Sequence, residues 1–268
     1  MEKRRQIILE RLEQEGTCSY EELARHLGVS SMTARRDVDE LARRGALIRI
    51  TGGVQKAHAP SYLYETAVHS RLAVQRPSKQ AIAKQALELV TSQHTLFLDG
   101  GTTCLELAKL LAKERKGLTI VTNSALACLE LGKNNENVVV GIGGQFDANS
   151  LSYIGPQAED WAKTLFVDLA FVSTKGFVPK EGTFESSLPT FRIKQIIARQ
   201  CVELVLLVDH SKFGQRALSK VLDISQIHTV VTDDSTPREV VTKLERNGKK
   251  VCVGAVEKWK KEGAVHAS

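Results

Sequence analysis

The stretch Ser30-Ser31-Met32-Thr33-Ala34-Arg35-Arg36-Asp37-Val38-Asp39-Glu40-Leu41 decides the N-terminal part of the fold. Ala34, Val38 and Leu41 recur at i, i+4 and i+7, which is one apolar stripe of a helix. A serine ahead of them can cap that helix, predicted over 31–44. With the stripe turned inward, Met32, Arg36, Asp39 and Arg43 lie on the opposite side, flanked by Ser31, Thr33 and Arg35. Upstream, Ser19-Tyr20-Glu21-Glu22 is a capping box that opens a short helix burying Leu23, Ala24 and Leu27. Gly28-Val29 turns the chain between the two helices. Residues 4–15 form an earlier helix with Ile8 and Leu12 on one face, stopped by Gly16. Downstream, Gly45 stands where a C′ glycine belongs. Residues 47–50 and 54–56 read as two strands joined by Thr51-Gly52-Gly53. Three short helices followed by a hairpin make a winged helix-turn-helix over 1–57.

In a helix-turn-helix the second helix enters the major groove, its N-terminal side chains at base edges. The arginine fork suits this work because it can bond O6 and N7 of guanine together. Hydroxyls and free amides at a helix start bind phosphate. The predicted DNA contacts are therefore Ser30, Ser31, Met32, Thr33, Arg35, Arg36, Arg43 and, from the wing, Arg49. Charge distribution agrees. The net charge of +6 is mild, but residues 30–56 hold Arg35, Arg36, Arg43, Arg44, Arg49 and Lys56 against Asp37, Asp39 and Glu40. The first 24 residues lean acidic.

Residues 58–77, with Pro60 and Pro77 and no clean periodicity, read as a linker with a helical piece around 64–74. Beyond it the texture changes. Ser78 is expected to cap a helix to about Val90. Near-continuous Val, Leu and Ile runs at 95–98, 119–121, 138–142, 169–173, 203–208, 229–232 and 250–253 alternate with amphipathic helices at 103–114, 125–131, 157–163, 188–199 and 238–247. That alternation predicts an α/β domain over 78–268 with a mostly parallel open sheet.

Several loops at predicted strand ends can hold an anion. Asp99-Gly100-Gly101-Thr102-Thr103 follows one strand and opens a helix. Asn123-Ser124 follows a second strand, and Gly143-Gly144 a third. Ligands of open parallel sheets collect beyond the strands' C-terminal ends. Lys175, Glu185, Lys194 and Lys212 add charge near element ends. The loops do not end in Gly-Lys-Ser/Thr, so no Walker motif is present.

Five scattered cysteines with no C-x-x-C pair give neither a disulfide framework nor a zinc site, and no metal or cofactor is expected. No apolar run approaches ~18 residues, and no secretory h-region follows Met1. A cytoplasmic protein without membrane contact is expected.

The N-terminal motif, with Thr33-Ala34-Arg35-Arg36-Asp37 and the wing Gly52-Gly53-Val54, resembles the DNA-binding segment of DeoR-type sugar-operon repressors. The resemblance continues through the Asp-x-Gly-Thr-Thr loop, Val121-Thr122-Asn123, Gly143-Gly144, Gly155, Gly182, Lys194 and Val208-Asp209-His210-Ser211-Lys212-Phe213-Gly214. It covers almost the whole chain. It implies a sensor domain similar to ribose-5-phosphate isomerase, a phosphorylated sugar or sugar-acid effector, and double-stranded operator DNA bound by a homo-oligomer, dimer or tetramer. The chain departs from the family at Ser173-Thr174-Lys175-Gly176 and Pro189-Thr190-Phe191-Arg192, where carboxylates are replaced and positive charge is added. That favours a more acidic effector. Two other readings stand beside the repressor: a phosphosugar isomerase with an appended winged helix, for which Glu185 is the candidate base, and a dinucleotide-sensing redox repressor, against which the missing Gly-x-Gly-x-x-Gly counts.

Overall fold

The computed structural model describes residues 2–15, 17–43, 46–50, 52–56 and 67–257, with a few side chains inside those spans, Arg43 and Lys56 among them, outside the description. Gly16, Gly45 and Thr51, read above as stop, cap and turn residues, lie outside the described residues. The chain divides into two compact units, Met1–Val74 with Ala148–Ser150, and Gln75–Asp147 with Leu151–Ser268.

The first unit runs α1 (Glu2–Glu15), β1 (Thr17–Ser19), α2 (Tyr20–Leu27), α3 (Ser31–Arg43), β2 (Leu47–Ile50), β3 (Gly53–Lys56) and α4 (Val68–Ala73). Ile8, Leu12, Leu23, Ala34, Val38, Leu41, Leu47 and Val54 are buried together as its core. The capping box forms: Ser19 N donates to Glu22 Oε2 at 2.8 Å and Glu22 N donates to Ser19 Oγ at 3.1 Å. Gly28 closes α2 in the left-handed region, at φ 63°. The hairpin gains a strand that the sequence does not announce. β1 pairs antiparallel with β3, in the order β1-β3-β2. Gly53 permits this, because a Cβ there would meet the Cys18 carbonyl at 2.3 Å. α4 is the helical piece expected within the linker around 64–74, and α5 begins inside the linker stretch, at Arg76.

The second unit holds α5 (Arg76–Leu87), β4 (Thr95–Leu98), α6 (Thr102–Glu114), β5 (Thr119–Thr122), α7 (Ala125–Leu131), β6 (Val138–Gly141), β7 (Gln145–Asp147), β8 (Ser152–Ile154), α8 (Pro156–Ala162), β9 (Val167–Ser173), β10 (Gly176–Val178), β11 (Gly182–Glu185), α9 (Leu188–Ile197), β12 (Cys201–Leu207), β13 (Ser219–Asp223), β14 (Thr229–Asp233), α10 (Arg238–Arg246) and β15 (Lys250–Gly254). Seven strands form one sheet in the order β15-β14-β12-β9-β4-β5-β6, and every pairing in it is parallel. Successive side chains of a strand point to opposite faces, and the core is sorted accordingly. Leu96, Leu98, Phe171, Val205 and Leu207 pack with Ile82, Leu107 and Leu111 of α5 and α6. Phe97, Ala170, Val172, Leu204 and Leu206 pack with Ile193, Ile197 and Leu244 of α9 and α10. Each fully buried Leu or Phe contributes roughly 1.5–3 kcal/mol.

One expected cap is corrected. Ser78 is buried inside α5, whose N-cap is Gln75 at φ 51° with proline in the first turn. Pro77 needs no amide partner there and its φ suits a helix start, so the helix begins three residues earlier. Among the described residues no helix is long and apolar enough to cross a membrane.

Candidate DNA-reading and effector-binding sites

α3 is positioned by its buried stripe and tied to α1 by Asp37. Arg4 Nε donates to Asp37 Oδ2 at 2.5 Å and Arg5 Nε to Asp37 Oδ1 at 3.3 Å. Burial alone would push the Asp37 carboxyl up. The hydrogen bonds and charges of the two arginines outweigh it and hold the carboxyl below its ordinary value.

The predicted DNA contacts divide by what already holds them. Ser30 Oγ accepts from Thr33 N at 3.3 Å and lies 2.9 Å from Thr33 Oγ1, so both hydroxyls are engaged in capping α3. The Arg35 guanidinium sits over the Tyr20 ring, 4.8 Å from its centroid. Arg49 Nη1 donates to Asp39 Oδ1 at 2.9 Å. Ser31 and Arg36 are exposed, and Met32 is 65% exposed, unusual for a large apolar side chain. The side chain of Arg43 lies outside the described residues.

In the second unit the strand order reverses beside β4. The chain passes outward through β5 and β6, and then β9 returns to β4's other side. The crevice past the C-terminal ends of β4 and β9 is the topological switch point where ligands of such sheets bind. Asp99 leaves β4 there. Its Oδ2 accepts from Ser173 N at 3.1 Å and from Ser173 Oγ at 2.9 Å. Lys194 Nζ, from α9, lies 3.2 Å from the same oxygen and donates to Glu185 Oε1 at 2.5 Å and to the Ser173 carbonyl at 2.8 Å. Burial by itself would lower the Lys194 ammonium's pKa, but the charges of Asp99 and Glu185 prevail and raise it above its ordinary value. Lys194 is thus a buried cation answered by two carboxylates. Neither Glu185 nor Asp99 stands free as a base.

Gly101 is the N-cap of α6 and no side chain caps that helix, while Thr102 and Thr103 are buried in its first turn. The two glycines serve close packing: a Cβ on Gly100 would lie 2.3 Å from Ser152 Oγ, and one on Gly101 would lie 1.7 Å from Ser173 Oγ. Asn123 is buried after β5. Its Nδ2 donates to the Tyr153 carbonyl at 3.1 Å, and its Oδ1 is buried without a hydrogen-bond partner. Ser124 is spent on α7, where its Oγ accepts from Ala127 N at 3.3 Å. Gly144, at φ 150°, would carry a Cβ 2.7 Å from the Ile154 carbonyl, so it packs against β8 and the start of α8, and Gly143 has open space beside it. Gly143 and Gly144 follow β6, two strands away from β4. Lys175 is half-buried in the turn after β9, and Lys212 is half-buried in a short 3-10 turn, His210–Lys212, beyond β12.

Sequence reasoning missed a pair in that region. His210 N donates to Asp233 Oδ1 at 2.8 Å and His210 Nδ1 lies 2.7 Å from Asp233 Oδ2, with Asp233 fully buried. The signal was present: Asp233 ends β14, and His210 follows within three residues of the end of β12, its parallel neighbour.

Comparison with known proteins agrees with this two-unit geometry. Residues 4–59 match the DeoR-like helix-turn-helix domain and residues 74–234 the DeoR C terminal sensor domain. The chain is 34% identical over 239 residues to an uncharacterized HTH-type transcriptional regulator, YgbI, of Escherichia coli strain K12, covering 88% of this chain and 91% of that protein. It is 32% identical over 237 residues to the glycerol-3-phosphate regulon repressor of the same strain, with 88% and 92% covered. Among solved structures, a ribose-5-phosphate isomerase in complex with phospho-erythronic acid overlays at a TM-score of 0.38 and 18% identity, over 50% of this chain and 52% of that one. The two domain matches and the near full-length relatives place the chain in the DeoR family of transcription regulators, with a DNA-binding helix-turn-helix unit and a sensor domain.

Proposed function

We propose that this regulator represses a carbohydrate-utilisation operon and is controlled by a phosphorylated sugar or sugar acid bound beyond β4 and β9. The observation that carries this reading is the start of α6. No side chain caps the helix, so its first amides and the buried Thr102 and Thr103 are available to a phosphate, which a helix N-terminus favours. The unpartnered Asn123 Oδ1 supplies an acceptor for an effector hydroxyl, since a buried acceptor left unmade costs about 1–3 kcal/mol. Lys175 and Lys212 supply positive charge for an acidic ligand. Lys194 acts by fixing Asp99 and Glu185 rather than by touching phosphate. One relative is the glycerol-3-phosphate regulon repressor, named for a phosphorylated polyol. Ser31, Met32 and Arg36 read bases, and Arg49 reaches the backbone or minor groove. The work is cytoplasmic, and a repeated operator site calls for at least a dimer.

The test is a thermal-shift screen of phosphorylated sugars and sugar acids on the full chain, followed by operator titration with each hit. A true effector at 100 times its dissociation constant stabilises by about 2.7 kcal/mol and changes operator affinity. Stabilisation with no change in DNA binding would sink the sensor reading. The same hits are not expected to turn over, because both carboxylates at the switch point are bonded to Lys194. Interconversion of pentose phosphates would favour an isomerase instead.

A further inference from the structure

The DNA face of the first unit carries an acidic residue where a reader of polyanions has no electrostatic use for one. Asp39 lies on α3 three residues beyond Arg36, on the side away from the buried Ala34, Val38 and Leu41. A carboxylate there is repelled by phosphate and lowers affinity for every duplex. Its partner is Arg49 of β2, whose Nη1 donates to Asp39 Oδ1 at 2.9 Å, and both side chains are substantially exposed, at 44% and 61%. Two other cations of this face, Arg35 and Arg36, are treated differently. Arg35 is held over the Tyr20 ring, whereas Arg36 has no hydrogen bond or ion pair among the described residues.

We infer that Asp39 is a positioning residue for recognition. It holds the wing arginine against the reading helix in one place and offsets part of its charge. Arg49 then contributes to binding when the duplex presents the right groove, and less to indiscriminate contact with phosphate. The idea rests on the reading of α3 and the wing as the DNA face, and it adds a specificity-determining role for a residue outside the contact set.

The test is a double-mutant cycle in the full-length chain with Asp39→Asn and Arg49→Gln. The probes are a duplex enriched by the wild-type chain from a random-sequence pool and a scrambled duplex of the same composition. The quantity read is the ratio of the two affinities, in which a uniform change of charge cancels. Asp39→Asn is expected to raise affinity for the scrambled duplex and to lower the ratio roughly two- to five-fold, the range that an exposed ion pair supports. In the Arg49→Gln background the same substitution is expected to leave the ratio unchanged. An equal loss in both backgrounds would mean that Asp39 meets a base itself and would overturn the inference, as would a ratio that moves in neither. If Arg49→Gln alone alters neither affinity nor salt dependence, the wing does not touch DNA, and that different pattern removes the wing reading along with the inference. Melting temperatures of the three variants within a degree or two of wild type exclude misfolding as the cause.

Discussion

Gly101 and Ser173 occupy one space: a Cβ on Gly101 would lie 1.7 Å from the Ser173 hydroxyl oxygen and 2.8 Å from the Ser173 Cβ. The glycine at the start of α6 is therefore dictated by the end of β9. Gly101→Ala is expected to destabilise the second unit by about 1–3 kcal/mol, the usual cost of overpacking, and to abolish the effector response. The cost should shrink when Ser173→Gly is present in the same chain. Thermal unfolding of the four members of that cycle checks it. An equal cost with and without Ser173 would refute the packing account.

Lys194 supports the same site through charge. Lys194→Met leaves the buried Asp99 and the half-buried Glu185 without their shared cation, and breaking a buried ion pair from one side costs about 3–5 kcal/mol. Because the Lys194 pKa is raised in the folded chain, its contribution is fully present below its ordinary value of 10.5 and is lost as pH rises through the folded value. Effector affinity should thus show no titration from Lys194 between pH 6 and pH 9, while Lys194→Met loses both stability and response throughout. Calorimetry across that range separates the two.

On the acid side, the buried Asp37 of the first unit carries the tested contribution. Its folded pKa lies below the ordinary 3.8, so the stability it contributes is present above that value and is lost as pH falls through the folded one. Amide-exchange protection of α1 and α3 in the full chain should fall below about pH 4. Asp37→Asn should show weakened protection already at neutral pH and a shallower acid dependence. Identical acid profiles for the two proteins would sink this assignment.

Arg36→Ala is expected to cost about 1–3 kcal/mol of discrimination between enriched and scrambled duplexes. The fold should be unaffected, since Arg36 is exposed. Gel-shift titration measures the ratio. Wild-type discrimination in the variant would take Arg36 out of the groove.

Asn123→Leu removes a buried oxygen that has no partner along with one hydrogen bond to the Tyr153 carbonyl. The change in stability should be within about 1–2 kcal/mol, because the lost bond is offset by relief of the orphan acceptor. Effector affinity should fall roughly tenfold, the worth of one hydrogen bond to a ligand hydroxyl. Isothermal titration with an effector from the screen reads this, and undiminished affinity would place the hydroxyl elsewhere.

The architecture was legible where one residue type repeats at one spacing. The Ala34, Val38, Leu41 stripe and the seven Val, Leu and Ile runs became α3 and the seven parallel strands. Elements of three to five residues were missed: β1, the hairpin of β7 and β8, and the antiparallel β10-β11-β13 sheet. Gly176-Phe177-Val178 is too short to show a period, and its strand exists through pairing with Gly182-Thr183-Phe184. The loops of the candidate site stand out in the sequence because glycine and threonine cluster after strands. The roles of their neighbours were not. Lys194 reads as one more lysine until Asp99, 95 residues earlier, is seen beside it. Ser124 and Gly144 carry site-like chemistry in sequence and spend it on capping and close packing. Sequence position puts Arg35 and Arg49 on the expected DNA face, yet one rests on Tyr20 and the other on Asp39.

The two units differ in how far the chain must travel to complete them. The elements of the helix-turn-helix and its wing lie within residues 2–56. The centre of the sensor sheet closes only when β9 reaches β4, and the Asp99–Ser173 bonds there join residues 74 apart. Such pairings form late, because the long loop must be ordered before any contact rewards it. During synthesis from the N-terminus, β4, β5 and β6 are therefore exposed as half a sheet, with β4 presenting an open edge of the kind that aggregates. The helix-turn-helix and wing elements, within residues 2–56, are already synthesised throughout that interval. On the function proposed above, a polypeptide stalled or cleaved before β9 carries the helix-turn-helix without a finished sensor, and any contact it makes with DNA escapes control by the effector.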